Sequence, residues 1–209
     1  MNKISIIIPV LNEEQNILKT LNAILNNSYE NDIEIIVIDG GSQDKTVEFV
    51  KKLGVKIYIS PQKGRANQMN FGVSKAQGDI LLFLHGDTII PANFTKIIYK
   101  ILKQPKTIAG AFLLKIDSHK KSLKLVEKFT NLRSQLFSLP YGDQGIFLKK
   151  STFKDIDGFK NLAIMEDFDL IQRLKKQGKI TIAPLAVNTS SRRWEKLGTF
   201  KTTLINHAR

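Results

Sequence analysis

The residues best placed to do chemistry lie at His85-Gly86-Asp87, where an apolar run, Ile80 to Leu84, ends in a polar cluster. The run has the length and composition of a strand buried on both faces. In an open parallel sheet, ligands bind just beyond the carboxyl ends of such strands. A carboxylate at Asp87, beside a glycine that lets a ligand approach the backbone, can hold a divalent cation against a phosphate. The competing role for Asp87 is structural, as the cap of the next helix or part of a turn. What separates the two roles is the company that Asp87 keeps.

The elements around it supply that company. Lys3 to Val10 reads as a buried strand stopped by Pro9. Asn12 is placed to cap a helix carrying Ile17, Leu18, Leu21, Ile24 and Leu25, with Gln15 three residues on. Ile33 to Ile38 is a second strand, ending in Asp39-Gly-Gly-Ser-Gln-Asp44. A helix from Asp44 to Leu53 is stopped by Gly54. Val55 to Ile59 is a third strand, and Gln62 to Asn70 opens a helix that reaches Gln77-Gly78. The first 88 residues thus alternate strand and helix four times, an α/β pattern with a mostly parallel sheet and helices on both faces. Right-handed crossovers then place all the strand ends on one side. Asn12–Glu14, Asp39–Ser42, Lys63–Arg65 and His85–Asp87 share one rim, which is hard to explain as four unrelated turns.

The second half is less regular. Pro91 starts a helix to Lys103, and Thr107 to Ile116 is expected as the first strand of an added, partly antiparallel segment. Leu123, Val126, Phe129, Leu132 and Leu136 fall on one helical face, with Lys121, Lys124, Lys128 and Arg133 elsewhere. Such a stripe ordinarily packs on the core. Its basic flanks also suit a membrane surface or a lipid-linked acceptor. Tyr141 to Leu148 is a loop feeding a short strand, Asp157-Gly-Phe159 a turn, and Lys179 to Ala183 a last short strand. Glu166-Asp167 precedes a helix ended by Gly178, and the chain closes on Thr189-Ser-Ser-Arg-Arg-Trp194 and a short helix from Thr199. No Pro/Gly/Ser linker divides the chain, so residues 1–209 are expected to form one domain with two lobes.

Composition sets the outer bounds. There are no cysteines, which removes disulfides, thiolate metal sites and Cys nucleophiles and fits a cytoplasmic protein. No apolar run approaches a membrane span. Ile4 to Ile8 is too short for a signal-peptide core, so the expectation is a chain without a leader. The net charge of +13 favours anionic partners. The lysines are scattered, however, and no nucleic-acid motif with interleaved aromatics is present, so a nucleic-acid partner is not expected.

Taken together, Ile6 to Glu14, Ile36 to Thr46, His85-Gly86-Asp87, Glu166-Asp167 and Arg193-Trp194 resemble the family 2 glycosyltransferases across nearly the whole chain. The resemblance implies the GT-A type of nucleotide-diphospho-sugar transferase fold. Residues 1–104 would form the nucleotide-sugar-binding half and residues 105–209 a smaller, mixed acceptor-side half. More narrowly, Gly64 to Asn70, Leu82 to Thr88, Tyr141 to Gln144 and Ser190 to Trp194 resemble a bacterial subfamily labelled as arsenosugar-biosynthesis glycosyltransferases.

The resemblance also implies roles. Pro9, Asn12, Glu14 and Asp39 would hold the base and ribose of the donor. A turn with Gly40-Gly41 is the other use of Asp39. Arg65 would approach the base or phosphates, and a cation in the first turn of a helix, where the dipole disfavours it, supports an anionic ligand. The family seats Mg²⁺ or Mn²⁺ on the diphosphate with an Asp-x-Asp element. Here His85 stands in the first position and Asp87 in the second, and an imidazole suits Mn²⁺ better than Mg²⁺. His85 can instead contact ribose or phosphate. Asp167 would be the general base of an inverting transfer, with Glu166 orienting it or touching the acceptor. A helix N-terminus enriched in acids is the structural alternative for this pair. Asp143 and Gln144 would line the acceptor side, with Trp194 under the acceptor loop and Arg193 on the diphosphate. Ser190 replaces the Gln of the Gln-x-x-Arg-Trp motif of processive members, which points to single-sugar transfer. The chain ends soon after Trp194, so a further helix or membrane tail is not expected.

Two other classes compete. A nucleotidyltransferase shares the parallel sheet and metal, but usually opens with a glycine-rich loop where this chain has Pro9-Val-Leu-Asn-Glu-Glu14. A non-catalytic binder of nucleic acid or of an anionic membrane would rest on the charge alone.

Overall fold

The computed structural model describes residues 3–27, 33–162 and 164–197, without the side chains of Arg193, Lys196 and Leu197, and the helix expected from Thr199 lies outside the described residues. In chain order the elements are β1 (Ile4–Val10), α1 (Ile17–Asn27), β2 (Ile33–Asp39), α2 (Thr46–Lys52), β3 (Lys56–Ile59), α3 (Arg65–Lys75), β4 (Ile80–Phe83) and β5 (Thr88–Ile89). There follow α4 (Phe94–Leu102), β6 (Thr107–Asp117), α5 (Lys121–Phe137), a 3-10 turn (Gly142–Gln144), β7 (Ile146–Lys149), α6 (Lys150–Asp155), α7 (Glu166–Lys175), β8 (Lys179–Ser190) and α8 (Arg192–Leu197). The strands form one sheet in the order β3-β2-β1-β4-β7-β6-β8-β5.

The first four strands are parallel, so their carboxyl ends share one rim as the alternation requires. β7 pairs antiparallel to β4 and to β6, while β6 and β8 run parallel. The second half therefore extends the same sheet. Side chains alternate across it. Ile4, Ile6, Ile8 and Val10 of β1 pack with α1, α2 and α4 on one face, and Ile7 packs with α3, α6 and α7 on the other. Both faces are dry, which is why β1, β2 and β4 read as unbroken apolar runs.

Several local expectations are corrected. β1 ends at Val10 as expected, but Pro9 lies within it rather than stopping it. Pairing with β4 covers only Ile4 to Ile7, and the N–H that Pro9 lacks would face the side that β4 has already left. Asn12 is no helix cap, because α1 begins only at Ile17. Asn12 is instead a left-handed bend residue with φ 55°. β8 does not end at Ala183. It continues through Pro184 to Ser190, and the register shift opposite Ala111 to Leu113 absorbs the proline as an irregularity.

The stripe on α5 also divides. Leu123 is buried and Val126 packs beside it, but Phe129, Leu132 and Leu136 are exposed. Leu123 joins Leu114, Ile116 and Trp194 in a third, smaller cluster. Among the described residues no helix is long and apolar enough to cross a membrane.

Candidate active site

The rim expected to hold the donor is built from two loops that bond to one another. Asn12 N–H donates to the Ser42 hydroxyl at 2.9 Å, and Gln43 N–H returns to Asn12 Oδ1 at 2.8 Å. Glu13 N–H donates to the Thr46 hydroxyl at 2.8 Å. Glu14 N–H donates to Asp44 Oδ2 at 3.1 Å, and Lys45 N–H donates to Glu14 Oε2 at 3.1 Å. The sequence shows only polar clusters here. Their pairing follows from β1 and β2 ending side by side.

Asp39 sits at the floor of this rim, 2 % exposed. Its carboxylate accepts Gly41 N–H at 2.9 Å, Ser42 N–H at 3.0 Å and the Ser42 hydroxyl. The turn function of Asp39 is therefore realised, and Gly41, at φ 100°, supplies the backbone shape that the turn needs. Gln68 on α3 ties the two strand ends together, its amide donating to the carbonyls of Val10 and Ile38 at 2.9 and 2.8 Å.

Gly86 departs from expectation. A Cβ there would lie 3.0 Å from Val10 Cγ1 and 3.3 Å from Glu13 Cγ. Its missing side chain admits the β1 loop rather than a ligand, and this seats Asp87 beside Glu13. Arg192 Nη2 completes the group, donating to both Glu13 carboxylate oxygens at 2.6 and 2.5 Å. Burial and the neighbouring Glu13 charge push the Asp87 carboxyl above the usual carboxylate range, and Arg192 only partly offsets them. Glu13 and Arg192 were missed from the sequence as site residues, although each adjoins a residue that was singled out. Arg193, their sequence-based counterpart, has its side chain outside the described residues.

A second group forms on the other side of His85. Arg65 opens α3 and Glu166 opens α7, and the Arg65 Nε–H donates to Glu166 Oε1, pairing the two across the cleft. Burial lowers the Arg65 guanidinium, but Glu166, with Asp167 and Asp143, more than offsets this and holds it above its ordinary value. Arg65 Nη1 stands 3.5 Å from His85 Nε2. Asp167 is 9 % exposed, and its Oδ2 accepts Gly142 N–H at 2.6 Å while Oδ1 accepts Phe168 N–H at 2.8 Å. A Cβ on Gly142 would lie 3.0 Å from Asp167 Oδ2 and 3.3 Å from His85 Nε2, so a larger residue would press these groups apart by a few tenths of an ångström. Arg65, His85, Gly142, Glu166 and Asp167 line one narrow pocket. Residues separated by up to 102 positions thus converge, as a shared active cleft requires.

The acceptor-side expectation divides. Asp143 lies on the same turn, half-buried. Gln144 is corrected: it is fully buried, and its amide is spent on Ser134 Oγ, Tyr141 N–H and the Phe112 carbonyl. It fixes the turn from beneath and cannot meet an acceptor. Trp194 is likewise corrected, packing on Leu114, Ile116 and Leu123 at the foot of α5 rather than under the acceptor loop. The guanidinium of Arg133 stacks on the Tyr141 ring at 3.6 Å, which steadies the turn further.

Among the described residues no group of three or more His, Asp or Glu forms a cage for a metal. Asp87 alone fits the cation expected at this rim. It is a carboxylate held in a half-buried place against another negative charge, which a cation would relieve. Hard divalent cations accept one or two protein carboxylates and take their other ligands from phosphates and water. His85 fits less well through Nε2, which faces a guanidinium.

Comparison with known proteins places these features. The family model described as Glycosyl transferase family 2 matches residues 5–171. An uncharacterized glycosyltransferase of Haemophilus influenzae is 42 % identical over 96 residues, 43 % of this chain and 38 % of that protein. Among solved structures, Staphylococcus aureus TarS 1-349 in complex with UDP-GlcNAc superposes with a TM-score of 0.73 at 18 % identity, over 90 % of this chain and 58 % of that one. The mannosyltransferase PcManGT of Pyrobaculum calidifontis, in complex with GDP-Man and Mn2+, gives 0.73 at 17 % identity, over 98 % and 64 %. This chain spans less than two thirds of the length of each of these proteins. Their likeness shows the GT-A fold, and the family match over residues 5–171 shows that this chain belongs to glycosyl transferase family 2.

Proposed function

We propose that the chain moves one sugar from a nucleotide-diphosphate donor to an acceptor hydroxyl, with inversion at the anomeric carbon and in dependence on a divalent cation. The observation that carries this reading is the convergence of Asp167, Glu166, Arg65 and His85 on one pocket at the carboxyl rim. Asp87, two residues beyond His85, lines a neighbouring pocket with Asn16, Lys19 and Asp117. Asp167 takes the proton of the acceptor hydroxyl. The N–H groups of Gly142 and Phe168 fix its carboxylate and leave lone pairs free to accept that proton. A base opposite the leaving group permits in-line displacement, hence inversion. Glu166 holds the Arg65 guanidinium, which would meet the charge of the donor phosphates. Asp87 would hold the cation, with phosphate oxygens and water completing its shell. When bound, the cation neutralises charge on the departing diphosphate. Pro9, Asn12, Glu14 and Asp39 would form the wall beside base and ribose, with backbone groups doing much of the contact, since the side-chain oxygens serve the loops.

The UDP-GlcNAc and GDP-Man carried by the two structural neighbours support a nucleotide-sugar donor, and the Mn2+ in one supports a cation. The Ser190 departure supports single-sugar transfer, and the narrower motifs support the bacterial subfamily labelled for arsenosugar biosynthesis. The family match disfavours a nucleotidyltransferase or a bare anion binder. A thermal-shift screen of nucleotide sugars with Mn²⁺ or Mg²⁺ tests the reading. At a hundredfold excess over Kd a true donor stabilises by about 2.7 kcal/mol, a rise of roughly 5–10 °C for a chain of this size. Asp167→Asn should keep that rise and lose transfer, whereas Asp87→Asn should lose the metal-dependent part. No rise with any nucleotide sugar, with or without metal, sinks the proposal.

A further inference from the structure

Five of the eleven exposed large hydrophobic residues among those described belong to α5: Leu125, Phe129, Leu132, Leu136 and Phe137. Four of them, Leu125, Phe129, Leu132 and Leu136, share roughly 60° of helical arc, directly opposite the face that Leu123, Thr130 and Ser134 bury. Phe129 and Leu136 are 61 % and 66 % exposed, so the stripe stands clear of the core. Lys121 and Lys128 flank it and are exposed. The only acid of the helix, Glu127, is turned inward to accept Ile116 N–H at 2.9 Å and pair with Lys124. The outer face of α5 is therefore apolar along its middle, basic at its margin and free of negative charge.

We propose that α5 lies in the surface of an anionic bilayer, with Phe129, Leu132 and Leu136 in the acyl boundary and Lys121 and Lys128 among the headgroups. The narrow apolar strip with lysines beside it has the form of an interfacial helix. A chain of net charge +13 is complementary to anionic lipid and repels a second copy of itself. The helix spans about 25 Å along the surface. Its inner side carries Ser134, bonded to Gln144 at 2.8 Å, and Arg133, stacked on Tyr141. The Tyr141–Gln144 turn and Asp167 thus sit about one helix diameter, ~10 Å, behind the membrane plane. That placement rests on the transferase reading and brings the base within reach of an acceptor borne on a lipid headgroup. The docking itself does not rest on it.

Co-sedimentation with vesicles tests the docking, without donor or acceptor. The full chain should bind vesicles of phosphatidylglycerol and phosphatidylcholine at roughly 3:7 and ignore pure phosphatidylcholine. Phe129→Ser with Leu136→Ser should lower the partition at least about tenfold. Lys121→Gln with Lys128→Gln should lower it about fivefold per lysine. Both pairs change exposed side chains and should keep the circular-dichroism melt and the donor-induced thermal shift. Equal binding to both lipids, undiminished binding by the serine pair, or a dimer that the serine pair dissolves would each overturn the proposal. An unchanged donor shift alongside any of these leaves the transferase reading standing.

Discussion

Arg65→Met and Glu166→Gln, made singly and together, measure how far the cleft depends on its cross-sheet ion pair. Glu166 is 2 % exposed at its side chain and Arg65 is 35 % exposed. Removing one partner of a wholly buried pair costs about 3–5 kcal/mol, because the other charge is stranded. Water reaches a third of Arg65, so the expected cost of Arg65→Met is lower, about 2–3 kcal/mol. Glu166→Gln keeps an acceptor for the guanidinium and leaves a cation that water can reach, so about 1 kcal/mol is expected. The double variant strands nothing. It should lose only about 1–2 kcal/mol, giving a coupling of roughly 2 kcal/mol. Urea unfolding followed by circular dichroism reads all four free energies. In thermal melts Arg65→Met should fall by roughly 5–10 °C. Losses that simply add, within about 0.5 kcal/mol, would refute the argument, since uncoupled residues behave that way.

Asp87→Asn should raise thermal stability at neutral pH while abolishing metal-dependent donor binding, because burial and Glu13 hold the native carboxyl above its unfolded value. With the folded pKa raised, the native state binds the extra proton, so Asp87 lowers stability as pH rises through that window. A melt at pH 7 compared with one at pH 4 checks the sign, and an Asn variant less stable than the parent at pH 7 would contradict it. Glu34 runs the other way. Burial disfavours its charge, but Ser5 and the N–H groups of Gln77 and Gly78 outweigh that and hold it below its ordinary value. Its contribution is present above the unfolded pKa and lost as pH falls through the folded one. Glu34→Gln should therefore cost about 1–3 kcal/mol at pH 7 and flatten the acid limb of a stability–pH curve. Gly142→Ala should cut turnover about ten- to a hundredfold by displacing Asp167 and His85, with a donor-induced thermal shift that is unchanged. Normal turnover in that variant would remove Asp167 from its assigned place.

The rim was legible in the sequence because it follows from alternation alone. Four strand–helix pairs can be built only one way round, and the polar residues at their ends then fall on one edge. What each side chain does on that edge was not legible. Asp39 and Gln144 look like ligand groups by type, yet both are consumed by backbone N–H or carbonyl groups that only the folded loops present. Gly86 looks like room for a ligand, and the room is taken by Glu13. Glu13 and Arg192 escaped notice because their pairing spans 179 residues and no local pattern encodes it. Pro184 suggested a strand end, but a sheet edge with a register shift can accommodate it. The stripe read on α5 joins two opposite faces: Leu123 lies on the buried side with Thr130 and Ser134, while Phe129, Leu132 and Leu136 point away from it.

The reciprocal bonding of the β1 and β2 loops makes the two behave as one part. Each loop satisfies donors and acceptors that the other would otherwise leave bare: Asn12 with Ser42 and Gln43, Glu14 with Asp44 and Lys45. Such a floor is rigid before anything arrives, so little ordering entropy is lost on association. It also sets a rule for engineering. Grafting a foreign version of either loop alone would exchange several of these bonds for bonds to water and loosen the rim, so the pair is best transplanted as a single cassette.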